Sequence, residues 1–276
     1  MIGRPAIAAW RDTHPWQTDK QVEQDLLLSR AMVEIARHSL LGRELLLRGG
    51  TAIQKLHLGS AVRYSEDLDY VRLNPGPLGP IMQALQDIGE AVGLRPSWRL
   101  GEHPKVFWRG TAADGSPLKI KIELDTRQRD GLLPPITAPF SVESPWWSGT
   151  TDVPTPSLVD VAGSKLAALY SRSKGRDLLD TWLVRTRTTT DPAQVVTAAR
   201  RYGVESMTWA NMTTNLTRKL ADPHFSDDTT IIVTPGLAYD PVEAAAIVQS
   251  DLVDRLPGGP LHTAQPGTAD AGLTPE

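Results

Sequence analysis

Asp67 and Asp69 stand two residues apart in the run SEDLDYV (65–71), which alternates as a β-strand does. Side chains two apart on a strand point the same way. Both carboxylates therefore face one spot, while Leu68 and Tyr70 face the other side. Two carboxylates that close repel unless a cation lies between them, and all-oxygen ligation suits Mg2+ or Mn2+. Upstream, Gly49 and Gly50 lead into a short helical stretch, TAIQKLH (51–57). Glycines at such a turn let backbone N–H groups approach a phosphate. Paired carboxylates for metal beside a glycine turn for phosphate are the parts of a nucleotidyl-transfer site. Two solvated acids at a strand end produce the same Asp-x-Asp, so the neighbouring residues decide.

A second constellation lies in KLAALYSRSKGRDLLD (165–180), where Lys165, Leu169, Arg172, Arg176 and Asp180 recur at helical spacing. One continuous helix would put them on a shared face. Alternatively Gly175 breaks the helix, with a turn at 173–175 and a second helix from about Arg176. Either arrangement aims Lys165, Arg176 and Asp180 into one cleft. Lysine is a mobile point charge suited to a triphosphate. Arg176 would clamp a phosphate bidentately or fix Asp180, and Asp180 would orient Lys165, touch the incoming base or position the acceptor. A salt-bridged helix pair is the alternative with no function attached.

The elements that must position these groups follow from periodicity. Residues 20–41 and 76–93 read as helices and 51–57 as a short one. Strands are expected at 44–47, 66–73, 97–100, 105–109 and 117–126. On the last, Ile120, Ile122 and Leu124 form the core side, and Lys119, Lys121, Glu123 and Asp125 the other. The Pro-rich stretch 134–156 reads as a linker carrying a strand at 140–143, and from Ser157 the pattern turns helical. The expected organisation is a catalytic α/β domain at 1–156, a helical domain completing the site at 157–256, and a disordered tail at 257–276, rich in Pro, Gly, Thr and Ala.

These motifs together resemble the AbiEii-type nucleotidyltransferase toxins, the family that includes the MenT toxins of mycobacteria. The first signature is carried by Gly49, Gly50, Thr51, Ala52, Ile53 and Lys55, then Arg63, Ser65, Asp67, Leu68 and Asp69. The second is a Lys-Leu-x-Ala segment from Lys165, followed by Arg176, Asp177 and Asp180. The resemblance covers roughly residues 45–73 and 117–185. It implies an α+β fold: a polymerase-β-like mixed sheet with helices in the N-terminal half and a mostly helical C-terminal half. It implies a third metal-binding acid on the strand beside Asp-x-Asp, with Glu123 the first choice and Asp125 the reserve. Asp67, Asp69, Lys165 and Asp180 would then be catalytic, with Asp67, Asp69 and Glu123 holding two divalent ions. Gly49, Gly50, Thr51, Lys55, Ser65 and Arg176 would serve the phosphates of an NTP.

Charge and composition bound the rest. The 276 residues are 40% hydrophobic and 22% charged, ordinary globular material without a membrane-spanning run, and cysteine is absent. The opening residues carry no cationic segment followed by an apolar core, so a cytoplasmic protein is expected. The net charge of −3 conceals a basic stretch: residues 163–219 hold ten Lys and Arg against four acids. Arg172, Lys174, Arg200 and Arg201 are candidates there for contact with an RNA backbone; solvated helix faces are the other explanation. The resemblance implies a toxin that adds NMP to the 3′ end of tRNA and is neutralised by a cognate antitoxin. A transferase acting on a small molecule or a protein hydroxyl, or a non-catalytic binder of nucleotide or RNA, are the alternatives.

Overall fold

The computed structural model describes residues 2–59, 61–127, 131–203 and 205–262. After α1 (Arg4–Arg11), α2 (Asp19–Arg37) runs through the centre of the N-terminal half. Thr18 caps it in a reciprocal capping box with Gln21. Val22, Leu26, Met32 and Val33 are buried on it, and so are Glu23, Gln24 and Asp25. A buried polar side chain has to find a partner. Glu23 accepts the Ala113 N–H at 2.7 Å, Gln24 donates to the Lys119 carbonyl at 2.8 Å, and Asp25 accepts the Trp10 indole N–H at 2.9 Å. These contacts tie α2 to α1, to the turn at Ala113 and to the backbone at Lys119.

Next come α3 (Leu41–Glu44), β1 (Leu45–Arg48) and α4 (Gly49–Ala52), which passes into a π-helical turn at Ile53–His57. They are followed by β2 (Asp67–Arg72), α5 (Gly79–Ala91), β3 (Arg95–Arg99), β4 (Lys105–Thr111) and β5 (Pro117–Asp125). The five strands make one sheet in the order β1-β2-β5-β4-β3, with β2 and β5 parallel and the other pairs antiparallel. Leu68, Val106, Trp108, Ile120, Ile122 and Leu124 point into the core under α2 and α5. The opposite face carries the charges.

One expectation about the elements is corrected. Residues 134–156 do not form a linker: β6 (Ile136–Glu143) and β7 (Ser148–Thr155) pair as an antiparallel hairpin packed against α2 and β1. Its prolines obscure it, but a two-stranded sheet has only outer edges, where a missing N–H costs no ladder bond. α1, eight residues long and too short for a periodicity argument, is an element the sequence reading left unassigned. The disordered tail expected over 257–276 falls largely on residues 263–276, outside the described residues; before them, the Leu261 N–H bonds the Asp254 carbonyl at 2.8 Å.

The helical half comprises α6 (Leu158–Ser171), α7 (Gly175–Arg187), α8 (Pro192–Tyr202), α9 (Trp209–Leu220), α10 (Asp227–Thr230) and α11 (Pro241–Asp251). α7 belongs to two cores. Leu179 and Leu183 join the core under the sheet, whereas Leu178 and Val184 join a second one with Val161, Leu166 and Val195. A return segment also reaches back: the Tyr64 N–H bonds the Ile232 carbonyl at 2.7 Å, and Arg63 bridges to Val233.

Lys55, expected at the phosphates, is corrected here too. Its side chain is 2% exposed and its ammonium lies 2.7 Å from an Asp25 carboxylate oxygen, with the Trp10 ring 5.8 Å away. The π turn directs it toward α2 instead of the cleft. Removing one partner of a buried pair strands the other charge. Lys55→Met is expected to lower stability by about 3–5 kcal/mol, and Asp25→Asn/Lys55→Met to regain most of that loss, read from urea unfolding.

Candidate active site

The register of the sheet assembles the site. Parallel pairing sets Asp67 beside Lys121 and Asp69 beside Glu123, and antiparallel pairing sets Arg48 beside Asp69. Paired residues in adjacent strands share a face, so the row Lys105, Glu123, Asp69, Arg48 crosses four strands on the open side. Gly49, at φ +76°, makes the turn that leaves β1. A Cβ there would come within 2.7 Å of an Asp69 carboxylate oxygen, so only glycine permits this approach.

Thr51 and Ser65, expected near phosphates, hold the strand start. The Thr51 hydroxyl is buried, 2.6 Å from the Ser65 hydroxyl and 2.5 Å from the Asp67 carbonyl. A carbonyl can only accept, so the Thr51 proton goes there and Ser65 supplies the proton between the two hydroxyls. Ser65 still edges the narrower part of the cleft; Thr51 does not.

Helices α6 and α7 supply the other wall. The chain breaks between them at 172–174, the Gly175 alternative of the sequence reading. Lys165 on α6, with a side chain 9% exposed, is 2.8 Å from Asp180 and 3.3 Å from Asp177, both fully buried on α7. Arg172 grips Asp177 with two N–H groups, at 2.7 and 2.9 Å. Asp180 is fixed by Arg63, whose Nε lies 2.9 Å away, and not by Arg176. Arg176 faces Asp228 at 3.7 Å and edges the narrower part of the cleft. A Cβ at Gly50 would land on the Arg63 guanidinium, which explains the second glycine.

Three cations and two carboxylates thus form one cluster with a net positive charge, buried except for Arg172, which closes its outer side. It faces Asp69 across a cleft of about 520 Å3 lined by Gly49, Asp69, Glu123, Lys165, Arg172 and Tyr202. A narrower recess of about 120 Å3 continues past Asp67, Ser65, Arg63 and Arg176. Burial and the facing Asp67 push the Asp69 carboxyl above its ordinary range, against the pull of Lys165, Lys121 and Arg48. Burial alone would push Asp177 up as well, but Lys165 and Arg172 overcome it and hold the carboxyl below the usual range.

The acids can be tested against a divalent cation. Among the described residues no group of three or more His, Asp or Glu is gathered as a ready metal cluster. Asp67 and Asp69 form a pair with excess negative charge, and Glu123 is held one strand away by Lys105 at 3.2 Å and Lys121 at 3.4 Å. The Lys121 ammonium also lies 2.8 Å from Asp67, so a side-chain cation stands where a metal would neutralise the pair. Oxygen donors with a surplus of negative charge fit a hard divalent ion. Asp125, the reserve choice, faces Arg48 at 3.2 Å.

Sequence reasoning left Asp177, Arg63, Arg48 and Lys121 without roles, although both signatures contain residues of this set. Of the RNA-contact candidates, Lys174 and Arg200 are exposed, Arg172 is committed to Asp177, and Arg201 donates to the Gly131 carbonyl at 2.6 Å.

Comparison with known proteins agrees with this geometry. The family model described as nucleotidyl transferase AbiEii toxin, type IV TA system, matches residues 30–246. Among solved structures, MenT4, a nucleotidyltransferase toxin from Mycobacterium tuberculosis H37Rv, superposes with a TM-score of 0.68 over 91% of this chain and 88% of that one, at 19% identity. The likeness shows a shared α+β nucleotidyltransferase fold. An antigenic nucleotidyltransferase-like protein from Paracoccidioides brasiliensis matches at a TM-score of 0.43 and 13% identity, over 74% of this chain and 92% of that one. No curated protein sequence matches the chain.

Two outcomes follow from the cluster. Gly50→Ala should displace Arg63 and behave like Arg63→Ala, each costing about 3–5 kcal/mol as Asp180 loses a buried partner; a harmless Gly50→Ala would contradict the packing. Asp177, with its pKa depressed on folding, stabilises above its unfolded pKa of about 3.9, and that contribution fades as pH falls through the folded value. Arg172→Met should therefore melt well below the parent at neutral pH, with the gap closing in acid, measured as Tm against pH.

Proposed function

The chain belongs to the AbiEii nucleotidyl transferase toxin family of type IV toxin–antitoxin systems, and on that footing we propose that it transfers a nucleoside monophosphate from an NTP to the 3′ end of tRNA. The family makes it a nucleotidyltransferase and makes an antitoxin its partner. The observation that supports this chemistry best is the Asp67–Asp69 pair opposed by Lys165 across the narrower recess of the cleft. The 3′ hydroxyl attacks the α-phosphorus, a new P–O bond forms, and pyrophosphate leaves. A tRNA blocked at that end cannot be aminoacylated, so translation stops.

Each side chain has a task in this reaction. Asp67 and Asp69 would hold Mg2+ or Mn2+, with Glu123 joining to complete a two-ion site. Bound there, the ions would neutralise triphosphate charge and favour the ionised hydroxyl. Lys165 and Arg172, on the cleft wall, offer positive charge to the triphosphate, and Gly49 leaves room beside Asp69 for it. Asp180 acts through Lys165: the carboxylate holds the ammonium in place while Arg63 holds the carboxylate. Asp180 is on this reading a positioning residue. Access to tRNA places the reaction in the cytoplasm. Among the described residues no helix is long and apolar enough to cross a membrane.

The test is incubation of the purified chain with Mg2+, total tRNA and each labelled NTP in turn. Label should appear on tRNA with one or two NTPs. Asp69→Ala should reduce it by on the order of a hundred-fold or more, in line with the several kcal/mol that metal-based charge stabilisation contributes. Absence of label with every NTP, from folded and metal-loaded protein, would sink the tRNA assignment.

A further inference from the structure

Charge along the sequence and charge on the surface part company in this protein. Half of the ten cations in the basic stretch at 163–219 are engaged within the fold. Lys165 and Arg172 serve the buried cluster, Arg176 faces Asp228, and Arg185 faces Asp251. Lys219 is buried and donates to the Leu169, Tyr170 and Arg172 carbonyls at the end of α6. The other five, Lys174, Arg187, Arg200, Arg201 and Arg218, are exposed, but they are spread over the turn before α7 and the ends of α7, α8 and α9 instead of lying along one face of a sheet.

The open face of β3, β4 and β5 is different. Register aligns Arg95 with Arg109 and Lys119 in one row, Ser97 with Phe107, Lys121 and Asp67 in the next, and Arg99 with Lys105, Glu123 and Asp69 in the third. All these side chains lie on the sheet face away from α2 and α5, and Arg95, Arg99, Arg109 and Lys119 are exposed. None of those four makes an ion pair with a described residue, whereas Lys105 and Lys121 are tied to Glu123. The Arg109 guanidinium lies over the Phe107 ring, 5.0 Å from its centroid, and donates to the Ser97 hydroxyl. Three strand spacings of about 4.8 Å separate β3 from the Asp67–Asp69 strand. The free cations thus lie on the same sheet face as the reacting carboxylates, with Lys105, Lys121 and Glu123 between them.

We infer that this face is where the acceptor lies: a single-stranded 3′ end of RNA with phosphates on Arg95, Arg99 and Lys119 and a base stacked at the Phe107–Arg109 platform. The inference rests on the nucleotidyl-transfer reading of the cleft, and adds a binding surface to it. Unpaired bases stack on aromatic rings and guanidinium planes, and free cations spaced along a strand match a phosphate backbone. The second and third rows end at Asp67 and Asp69, and the row of Arg95, Arg109 and Lys119 lies directly beside them, so a strand laid across the face has its terminus within reach of the site. An acidic protein would find the same charges, but it has no need of a path into the cleft or of a stacking platform.

Two charge-matched variants of the full chain decide the matter: Arg95→Glu/Lys119→Glu on the sheet and Lys174→Glu/Arg200→Glu on the helical half. Each is first shown to melt as the parent does. The probe is a short fluorescein-labelled single-stranded RNA ending in CCA, titrated by anisotropy over a range of salt. The sheet variant should bind on the order of ten-fold or more weakly, with the slope of log K against log salt shallower by about 1.4, the value for two phosphate contacts to a single strand. The helical variant should stay within roughly two-fold of the parent, by the same phosphate accounting. Phe107→Ala should weaken binding while leaving the salt slope intact.

A helical variant that loses binding while the sheet variant keeps it overturns the inference. So does a parent chain that fails to bind the RNA, or a sheet variant that loses only the antitoxin. The same proteins in the tRNA-labelling assay separate the two readings. Parent labelling that the sheet variant shares in full removes the docking face and leaves the reaction. RNA binding that depends on the sheet, without label from any NTP, removes the reaction and leaves the face.

Discussion

The Arg63–Asp180–Lys165 contact holds the rest of the site in place. It joins three elements distant in sequence: the loop before β2, helix α6 and helix α7. Burying charges is expensive, and a pair repays that cost only when every lone pair and proton is matched. Here Asp180 has Arg63 and Lys165, Asp177 has Arg172 and Lys165, and Arg63 also donates to the Tyr64 carbonyl at 2.9 Å. Leu178, Leu179 and Leu183 are fully buried on the same helix, each contributing about 1.5–3 kcal/mol. That apolar burial, more than the ion pairs, carries the cost of bringing α7 against the sheet. The ion pairs fix its rotation and depth.

Electrostatics within the cleft follow from that placement. A cluster with surplus positive charge sits on one wall and a carboxylate pair with surplus negative charge on the other. Neither side neutralises the other fully, since Asp69 remains harder to ionise than a free carboxylate despite Lys165 nearby. Burial alone would ease Lys121 toward losing its proton, yet Asp67, Asp69 and Glu123 together hold it charged. A site of this kind has unmet demand for both signs. A magnesium nucleotide would bring a divalent cation to the carboxylates and a triphosphate to the cations, and so would satisfy both walls at once.

Much of this was legible in the residues. The alternation in β2 and β5 gave the correct face for Asp67, Asp69, Lys121 and Glu123, because strand periodicity leaves only two choices. The glycine pair was legible as a turn, but the side chains it makes room for, Asp69 and Arg63, were not. Side-chain direction on short helices was not. Lys55 lies within a signature and points away from the cleft because the π turn rotates it toward Asp25. The partner of Asp180 was equally hidden: Arg176 is close in sequence, whereas Arg63 arrives from 117 residues away. The β6–β7 hairpin was masked by prolines that its free edges tolerate.

The basic stretch shows the same limit from the other direction. A run of cations along the chain says where positive charge is encoded and nothing of what it meets after folding. Lysines and arginines on helices that pack together are drawn to buried acids and helix ends, as Lys165, Arg172 and Lys219 are. Cations on alternate positions of a sheet face cannot turn inward without crossing the sheet, and antiparallel neighbours place like charges side by side, which is destabilising unless solvent or a ligand screens it. Arg95 opposite Arg109 is such a pairing. Folding gains nothing from repulsion kept on an open face, and beside a cleft proposed to take a triphosphate, a polyanion is the ligand that would relieve it.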